Sequence, residues 1–495
     1  MAFEPVRRLM AAIRGTEHVE GDVQKWLRDA ADMGADRCSR YRLYQEFYDG
    51  NRGAKLRDRA KKYLEQNRVP FTENFCDVVV DSLAERLNVI GFTSSEATTA
   101  LVDGKEVTED PFGSLAEEWW QRNRMDAVQK TVHVQALMKG DEYVIVEWSE
   151  ELGRPRFLRQ RQHQVKVCYS EDEPDTIEYA VKVWSTSRRG PSNPSGARVR
   201  RMNLYFPDRV EKWFSLSKGD GDKDDWARWT DEGDTGWPVW WTTSGAEDGD
   251  PLGIPVVHFR HRPLGDGHGR SRVKPAVPFQ EQLNKYAADL NDLVDNHALP
   301  QDWVAGVAAE NPTFKRVAGN IWQAADKEAK FGRLDATDTS NLLNVIEGVL
   351  SRLGRRSRIP MHLLTGGTPP SGESLKTAES GLVATAKDCQ VEFGNSWEDA
   401  VLVGFRLAAA FGEVEGLPDV LPDGLTLSAQ WANPETRSDE ADLNVATLKK
   451  NLGVSRHTLL GELGYDAEKE AELRAVETEE AQAAFAGILD GTGER

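Results

Sequence analysis

The 495-residue sequence lacks the features that mark several large classes of protein. Its four cysteines lie far apart and form no CxxC pair, so neither a zinc site nor a disulfide framework is predicted, and we expect reduced, partly buried thiols. No stretch approaches the roughly 20 consecutive apolar residues that a membrane-spanning helix needs. The N-terminus has no long apolar run before a small-residue cleavage site, so no secretion signal is expected.

The sequence also lacks an excess of basic over acidic residues. The chain has 62 Lys and Arg against 81 Asp and Glu, which gives a net charge of −19. A dedicated nucleic-acid-binding domain normally shows a basic excess. Composition taken alone therefore argues against DNA as a tightly bound partner, although it leaves open a partner that is held only weakly.

No catalytic or phosphate-binding motif stands out. The glycine-rich run GDGHGR lacks the GK[ST] ending of a phosphate loop, so no ATPase is predicted. His258, His261 and His268 lie within eleven residues, but no carboxylate accompanies them at ligand spacing. We expect these histidines to lie in a solvated loop, and we predict no metal site, no cofactor and no catalytic residue.

One enzymatic alternative can be built from acidic residues. Asp302 lies upstream of Glu328 and Lys330, and an Asp…Glu-x-Lys set can hold Mg²⁺ while its lysine lies near an attacking water. These residue types occur together often by chance, and no strand clearly presents them. A Mg²⁺-dependent DNA-processing enzyme, similar to a nuclease, is thus the less favoured hypothesis.

The order of sequence patterns predicts an α+β protein. Residues 1–70 are polar, and their pattern predicts helices. Phe75, Val79, Leu83 and Leu87 predict a further helix that Gly91 ends. Short β-rich runs separated by Gly-, Pro- and Ser-rich loops fill 143–260 and predict an antiparallel region.

The pattern becomes helical again beyond that region. An apolar stripe from Phe279 to Leu293 predicts a helix of about 20 residues, which Pro300 ends. A mixed segment follows, and then come a second helix over Asn341–Arg356, a Pro/Gly-rich loop and a long helix from about Glu373. The segment after 435 is acidic, and its pattern predicts helices.

The string PPSGESLKTAESGLVATAKDCQVEFGNSWEDA at 369–400 resembles the signature of portal proteins of long-tailed bacteriophages, in the branch typical of actinobacterial phages. Other pieces occur in the family's order, among them YRLYQEFYDGN, NFCDVVVDSLAERLNVIGF, WWQRNRMDA, ALMKGDEYVIVEW and WANPETRSDEADL. Each piece is weak alone, but their order and spacing are specific. The resemblance spans roughly residues 40–465.

The resemblance implies a portal fold with an α/β wing, a two-helix stem, a small α/β clip, a long kinked wing helix and a helical C-terminal crown. The segments that it implies are an N-terminal arm at 1–39, a wing at 40–272, a first stem helix at 273–297, a clip at 298–337, a second stem helix at 338–358, a tunnel loop at 359–372, the long wing helix with its closing segment at 373–434, and an acidic crown at 435–495.

Candidate site residues follow from that assignment. A basic cluster ends the second stem helix, and a glycine-rich loop comes directly after it. The residues expected to face DNA are Lys274, Lys285, Arg352, Arg355, Arg356, Arg358, Thr365, Gly366, Gly367 and Thr368. The residues expected to dock partners in the clip are Trp303, Lys315, Arg316, Lys330 and Arg333.

The function that the resemblance implies is structural. Portal subunits form a ring, usually a dodecamer, at one capsid vertex, and double-stranded DNA passes through it without sequence recognition. The implied partners are the terminase large subunit, the capsid or scaffold protein and a head–tail adaptor, with no membrane. The location is the virion, and the host cytoplasm during assembly. A head-morphogenesis protein without a channel is a further alternative.

Overall fold

The computed structural model describes residues 20–51, 73–102, 105–189, 192–215, 226–297, 301–305, 330–334, 340–367, 372–435 and 447, apart from 232, 233, 235, 264, 266, 413, 415, 416 and 419. The predictions for Lys315, Arg316, Glu328 and Thr368, and nearly all of the acidic crown, lie outside these residues. No described helix is both long enough and apolar enough to cross a membrane.

One long helix organises the body of the protein. Helices α1 to α5 span Glu20–Ala31, Ala35–Tyr48, Cys76–Ala84, Pro111–Arg122 and Met125–Lys139; α6 to α9 span Val277–His297, Ser340–Ser357, Met361–Thr365 and Gly372–Phe411. Helix α9 runs for 40 residues. Its residues Leu382, Ala386, Phe393 and Trp397 are buried on one stripe at helical spacing, so α9 closes the main hydrophobic core from one side.

The strands are short and pair in antiparallel fashion. Strands β1 to β5 span Val89–Ser94, Thr98–Val102, Lys105–Glu109, Asp141–Ser149 and Arg154–Gln160; β6 to β10 span Val165–Tyr169, Ile177–Thr186, Val199–Tyr205, Arg209–Ser215 and Ala227–Arg228; β11 to β15 span Val239–Trp240, Val256–Arg260, Gln301–Ala305, Lys330–Leu334 and Leu427–Trp431. One sheet has the order β12-β4-β5, and a larger one runs β10-β9-β8-β7-β6 with β11 beside β9. The antiparallel β region predicted for 143–260 is confirmed.

Strand β4 lies between two hydrophobic cores. Val144 and Val146 belong to the core that includes α9, whereas Tyr143 and Ile145 belong to the core shared with the larger sheet. Because successive side chains of a strand point to opposite faces, this alternation accounts for a strand buried on both sides. Its first residue, Asp141, is therefore carried into the interior.

Helix α1, the first helix among the described residues, packs on one face of the larger sheet. Leu27 of α1 packs with Val181 and Met202. The side-chain amide of Gln24 donates to the Trp226 carbonyl at 2.8 Å and accepts from the Trp226 backbone N–H at 2.9 Å. These contacts connect two elements that lie 202 residues apart in the chain.

Helices α6 and α7 pack against each other and are joined through the β13–β14 hairpin. Helix α6 contains the predicted stripe from Phe279 to Leu293, and α7 begins and ends within one residue of the helix predicted at Asn341–Arg356. The prediction for Gly91 is wrong: α3 ends at Ala84, and Gly91 lies inside β1, where it pairs with Gln430 of β15.

Candidate functional site

Buried polar side chains fix the base of the α6–α7 pair to the body. Arg272 is almost fully buried, and its guanidinium donates to the Val79 carbonyl at 2.6 Å and to the Ser357 carbonyl at 2.9 Å. Burial lowers the pKa of Arg272 to about 10. One side chain in the loop that precedes α6 therefore connects α3 with the end of α7.

A second group of contacts fixes α6 itself. Gln280, on the first turns of α6, accepts from the backbone N–H of Phe75 at 2.8 Å and donates to Asn284 at 2.8 Å. Both amide side chains are buried. Sequence reasoning missed Arg272, Gln280 and Asn284, because their partners lie far along the chain and leave no local pattern.

The basic cluster lies on the solvent side of α7. Arg352, Arg355 and Arg356 are all exposed, and their spacing of three and four residues puts them on one helix face. Leu350 and Leu353 are buried on the opposite face. Among the described residues no carboxylate lies within ion-pair distance of these arginines, so this stretch of α7 presents a basic face.

Arg358 ends α7 in an unusual conformation. Its φ is +57°, in the left-handed region where glycine is the common choice at a helix end. The backbone N–H of Ile359 then returns to the Gly354 carbonyl at 2.9 Å and closes the last turn. An exposed arginine thus occupies a position at which its side chain costs about 1 kcal/mol of backbone strain.

The predicted tunnel loop at 359–372 is only partly a loop. Met361–Thr365 form the short helix α8, which ends at Gly366 with φ +63°. The reason is packing: Leu364 is buried over Gly354, where an added Cβ would lie 3.0 Å from a Leu364 methyl group. Thr365, Gly366 and Gly367 are exposed beyond that contact.

A chain of polar side chains connects α8 to the body. His362 lies 3.5 Å from one carboxylate oxygen of Glu379 on α9, and Arg86 lies 3.1 Å from the other oxygen. The Glu379 side chain is only 6% exposed. The segment that leads to Thr365 is therefore held at its base.

The remaining predicted residues lie apart from the basic cluster. Lys274 and Lys285 are exposed, one just before α6 and one on its solvent side. Trp303 of β13 is 41% exposed and lies over Gly332, its register partner. Lys330 is exposed on β14, and Arg333 lies on the same strand, paired with Asp302.

The register of this hairpin separates the residues of the nuclease alternative. Lys330 pairs with Ala305, three positions along the strand from Asp302. Three strand residues correspond to about 10 Å. The β13–β14 ladder thus does not bring Asp302 and Lys330 side by side.

The expectation for the histidines is wrong in two respects. His258 and His261 are buried rather than solvated, and a carboxylate does accompany His258 and His268, because Asp141 begins β4 beside the end of β12. Nε2 of His258 lies 2.9 Å from Oδ1 of Asp141, and Nδ1 of His268 lies 3.8 Å from that oxygen. Sequence spacing could not show this, since Asp141 and His258 lie far apart along the chain.

Burial and polar contacts shift the pKa of Asp141 in opposite directions. Burial raises the pKa of its carboxyl group, but hydrogen bonds from His258 and Tyr41 and the nearby His268 outweigh it, and the pKa stays well below its ordinary value. Asp141 is therefore an ionised carboxylate in the protein interior.

Comparison with known proteins identifies the class of protein. A profile of the family "Phage portal protein, SPP1 Gp6-like" matches residues 31–484, and the chain belongs to this family. The resemblance stated from the sequence is thereby confirmed.

Individual relatives agree with that assignment. The chain is 24% identical over 428 residues to a portal protein of Mycobacterium phage D29 and 24% identical over 432 residues to one of Mycobacterium phage L5. Each match covers 81% of this chain and 78% of the relative. A solved structure, the virion of a native gene transfer agent particle, has a chain that matches at 13% identity and a TM-score of 0.37, over 79% of this chain and 89% of that one.

Proposed function

We propose that this chain forms a ring at one capsid vertex, a dodecamer by resemblance to its family, and that double-stranded DNA enters and leaves the capsid through it. The observation that carries the proposal is family membership over residues 31–484. The packed α6–α7 pair with its exposed basic face supports it, because such a pair suits a subunit that packs beside copies of itself.

The parts of the subunit are assigned by the same proposal. The body at 40–272 together with α9 is the wing, α6 and α7 are the stem, and the β13–β14 hairpin is the base of the clip. The clip would meet the terminase large subunit during packaging and a head–tail adaptor afterwards. The capsid or scaffold protein would contact the outer parts of the ring.

The net charge of −19 is consistent with a conduit that does not grip DNA. Each phosphate that a protein neutralises adds salt-dependent affinity, and a ring that held many phosphates would slow the passage of the duplex. An acidic wall repels DNA within a screening distance of about 8 Å at physiological salt. A few arginines on α7 would then guide the duplex without holding it.

Electron microscopy of the purified protein tests the ring directly. We expect closed rings with an axial hole wide enough for a duplex, and no Mg²⁺-dependent cleavage of DNA. Particles of ring size without a hole would support the head-morphogenesis alternative. Cleavage of DNA that is lost in Glu328→Ala would support the nuclease alternative.

The role of the basic face can be tested on the same rings. We expect weak DNA binding whose dependence on salt decreases when Arg352 and Arg356 are replaced by alanine, because each lost phosphate contact reduces the salt slope by about 1. Arg188→Ala, at an exposed arginine just beyond β7, is the matched control. An equal effect of both changes would contradict a specific channel role for α7.

A further inference from the structure

The surroundings of Asp141 contain three groups with the chemistry of metal ligands. One oxygen of Asp141, one nitrogen of His258 and one nitrogen of His268 all lie within 4.8 Å of one another. The side chains of Asp141 and His258 are 3% and 1% exposed, and that of His268 is 36% exposed. Two ligands are therefore fixed in the interior, and the third closes the site from the surface.

The distances suit a small divalent ion. Nitrogen and oxygen ligands bind Zn²⁺ at about 2.0–2.1 Å, and tetrahedral ligands at that radius lie about 3.4 Å apart. The observed separations from Asp141 are 2.9 Å to His258 and 3.8 Å to His268. Shifts of roughly half an ångström would bring both pairs to the tetrahedral separation.

One atom of the cluster lacks the partner that a buried polar atom normally has. Nδ1 of His268 is shielded from solvent, yet no hydrogen-bond partner for it exists among the described residues. An unsatisfied buried nitrogen costs stability, and most such atoms in native proteins have an explanation, such as an ion. This nitrogen lies on the side of the cluster that faces Asp141.

The groups around the cluster can stabilise the metal-bound form. Tyr41 donates to the second oxygen of Asp141 at 2.5 Å, and the backbone N–H of Gly269 donates to the first at 2.7 Å. The hydroxyl of Tyr169 lies 2.9 Å from Nδ1 of His258. If the ring proton moves to Nδ1 and is donated to Tyr169, Nε2 becomes free to bind a metal, which is the usual outer contact of a metal-binding histidine.

The backbone is built to bring the third ligand to the other two. Gly140 has φ +100°, and a Cβ added to Gly269 would collide with the Gly140 carbonyl oxygen. The two glycines allow this close approach, which puts Asp141 and His268 on adjacent segments of backbone. The same loop leads directly to Ser271, Arg272 and α6.

We propose that Asp141, His258 and His268 form a binding site for a divalent transition-metal ion, with Zn²⁺ as the representative ligand. Two nitrogens and one carboxylate oxygen favour such an ion over Mg²⁺, which prefers oxygen ligands. The ion would cross-link β4, β12 and the loop that precedes α6, and it would stabilise the connection between the body and the α6–α7 pair. A water molecule at the partly exposed side would complete the coordination.

Metal titration of the whole, chelator-treated protein tests this site. We expect one Zn²⁺ per subunit with micromolar or tighter affinity by calorimetry, and a rise in the unfolding temperature with Zn²⁺ but not with Mg²⁺. His268→Ala should abolish both effects, and because His268 is partly exposed the variant should fold. His163→Ala, at an exposed histidine elsewhere on the surface, should leave both unchanged.

A second variant separates ligation from mere proximity. Tyr169→Phe removes the group that would accept the His258 proton, so it should weaken Zn²⁺ binding by about 10- to 100-fold. Co²⁺ added to the wild-type protein should give the visible spectrum of nitrogen- and oxygen-ligated cobalt, and His268→Ala should lose it. Zn²⁺ binding that is equal in wild type and His268→Ala, or the absence of binding, would overturn the proposal.

Discussion

The two halves of α7 differ in whether their apolar side chains are buried. In the half that follows Val349, Leu350 and Leu353 are buried against the body. In the half that precedes it, Leu343 and Val345 are each 46% exposed. Apolar side chains of α7 are thus buried in the subunit towards its C-terminal end and exposed towards its N-terminal end. This is the pattern expected if a neighbouring copy covers the N-terminal end.

The largest expected difference comes from shortening one leucine in each half. Leu353→Ala should lower the free energy of unfolding of the isolated subunit by about 3–5 kcal/mol, because a cavity remains in a closed core. Leu343→Ala should change it by less than about 0.5 kcal/mol. Urea unfolding of both variants measures this, and equal losses would contradict the comparison.

Arg272 tests whether polar contacts or packing fix the buried half. Arg272→Met keeps much of the length of the side chain but leaves the carbonyls of Val79 and Ser357 without their donor. We expect a loss of about 3 kcal/mol, since hydrogen bonds from charged groups are the stronger kind. Lys274→Met, at an exposed neighbouring position, is the control. A loss no larger than that of the control would assign the anchoring to apolar packing alone.

We expect acid to lower the free energy of unfolding of the body, because its histidines His133 and His261 are buried. His133 donates to the Leu87 carbonyl and accepts from the Trp397 indole, so it must be neutral, and burial lowers its pKa to about 3. Burial likewise lowers the pKa of His261 to about 4.

Because the folded-state pKa values are lowered, these histidines destabilise the folded protein when the pH falls. An unfolded histidine has a pKa near 6.5, so the stability that each neutral histidine contributes is complete above that pH and is lost as the pH falls towards the folded-state pKa. Between pH 7 and 5 each of these histidines should cost about 2 kcal/mol of unfolding free energy. Denaturant unfolding across that range should show a smaller decrease in His133→Gln. An unchanged decrease would mean that other groups control the acid response.

Local periodicity predicted the helices, whereas strand pairing and buried polar contacts between distant parts of the chain could not be predicted from the sequence. The apolar stripe of α9 located its start to within one residue, because a long helix carries its own pattern. Gly91 was misassigned because a partner strand more than 300 residues away decides its conformation. The same distance in sequence hid the contacts of Arg272 and the approach of Asp141 to His258.

Apart from the near-neutral Leu343→Ala, the smallest expected change in stability is that of Arg358→Gly, and it tests whether Arg358 serves DNA binding or folding. Arg358→Gly removes left-handed strain, so it should stabilise the subunit by about 1 kcal/mol if nothing else is lost. Arg352→Gly, in the regular part of α7, should instead destabilise it by about 1 kcal/mol. Thermal unfolding measures the stability of both variants, and DNA binding by the rings measures how far each variant loses affinity for DNA. If Arg358→Gly makes the subunit more stable but weakens DNA binding, the arginine is retained for its charge, whereas unchanged DNA binding would limit the guiding role to the arginines on the α7 face.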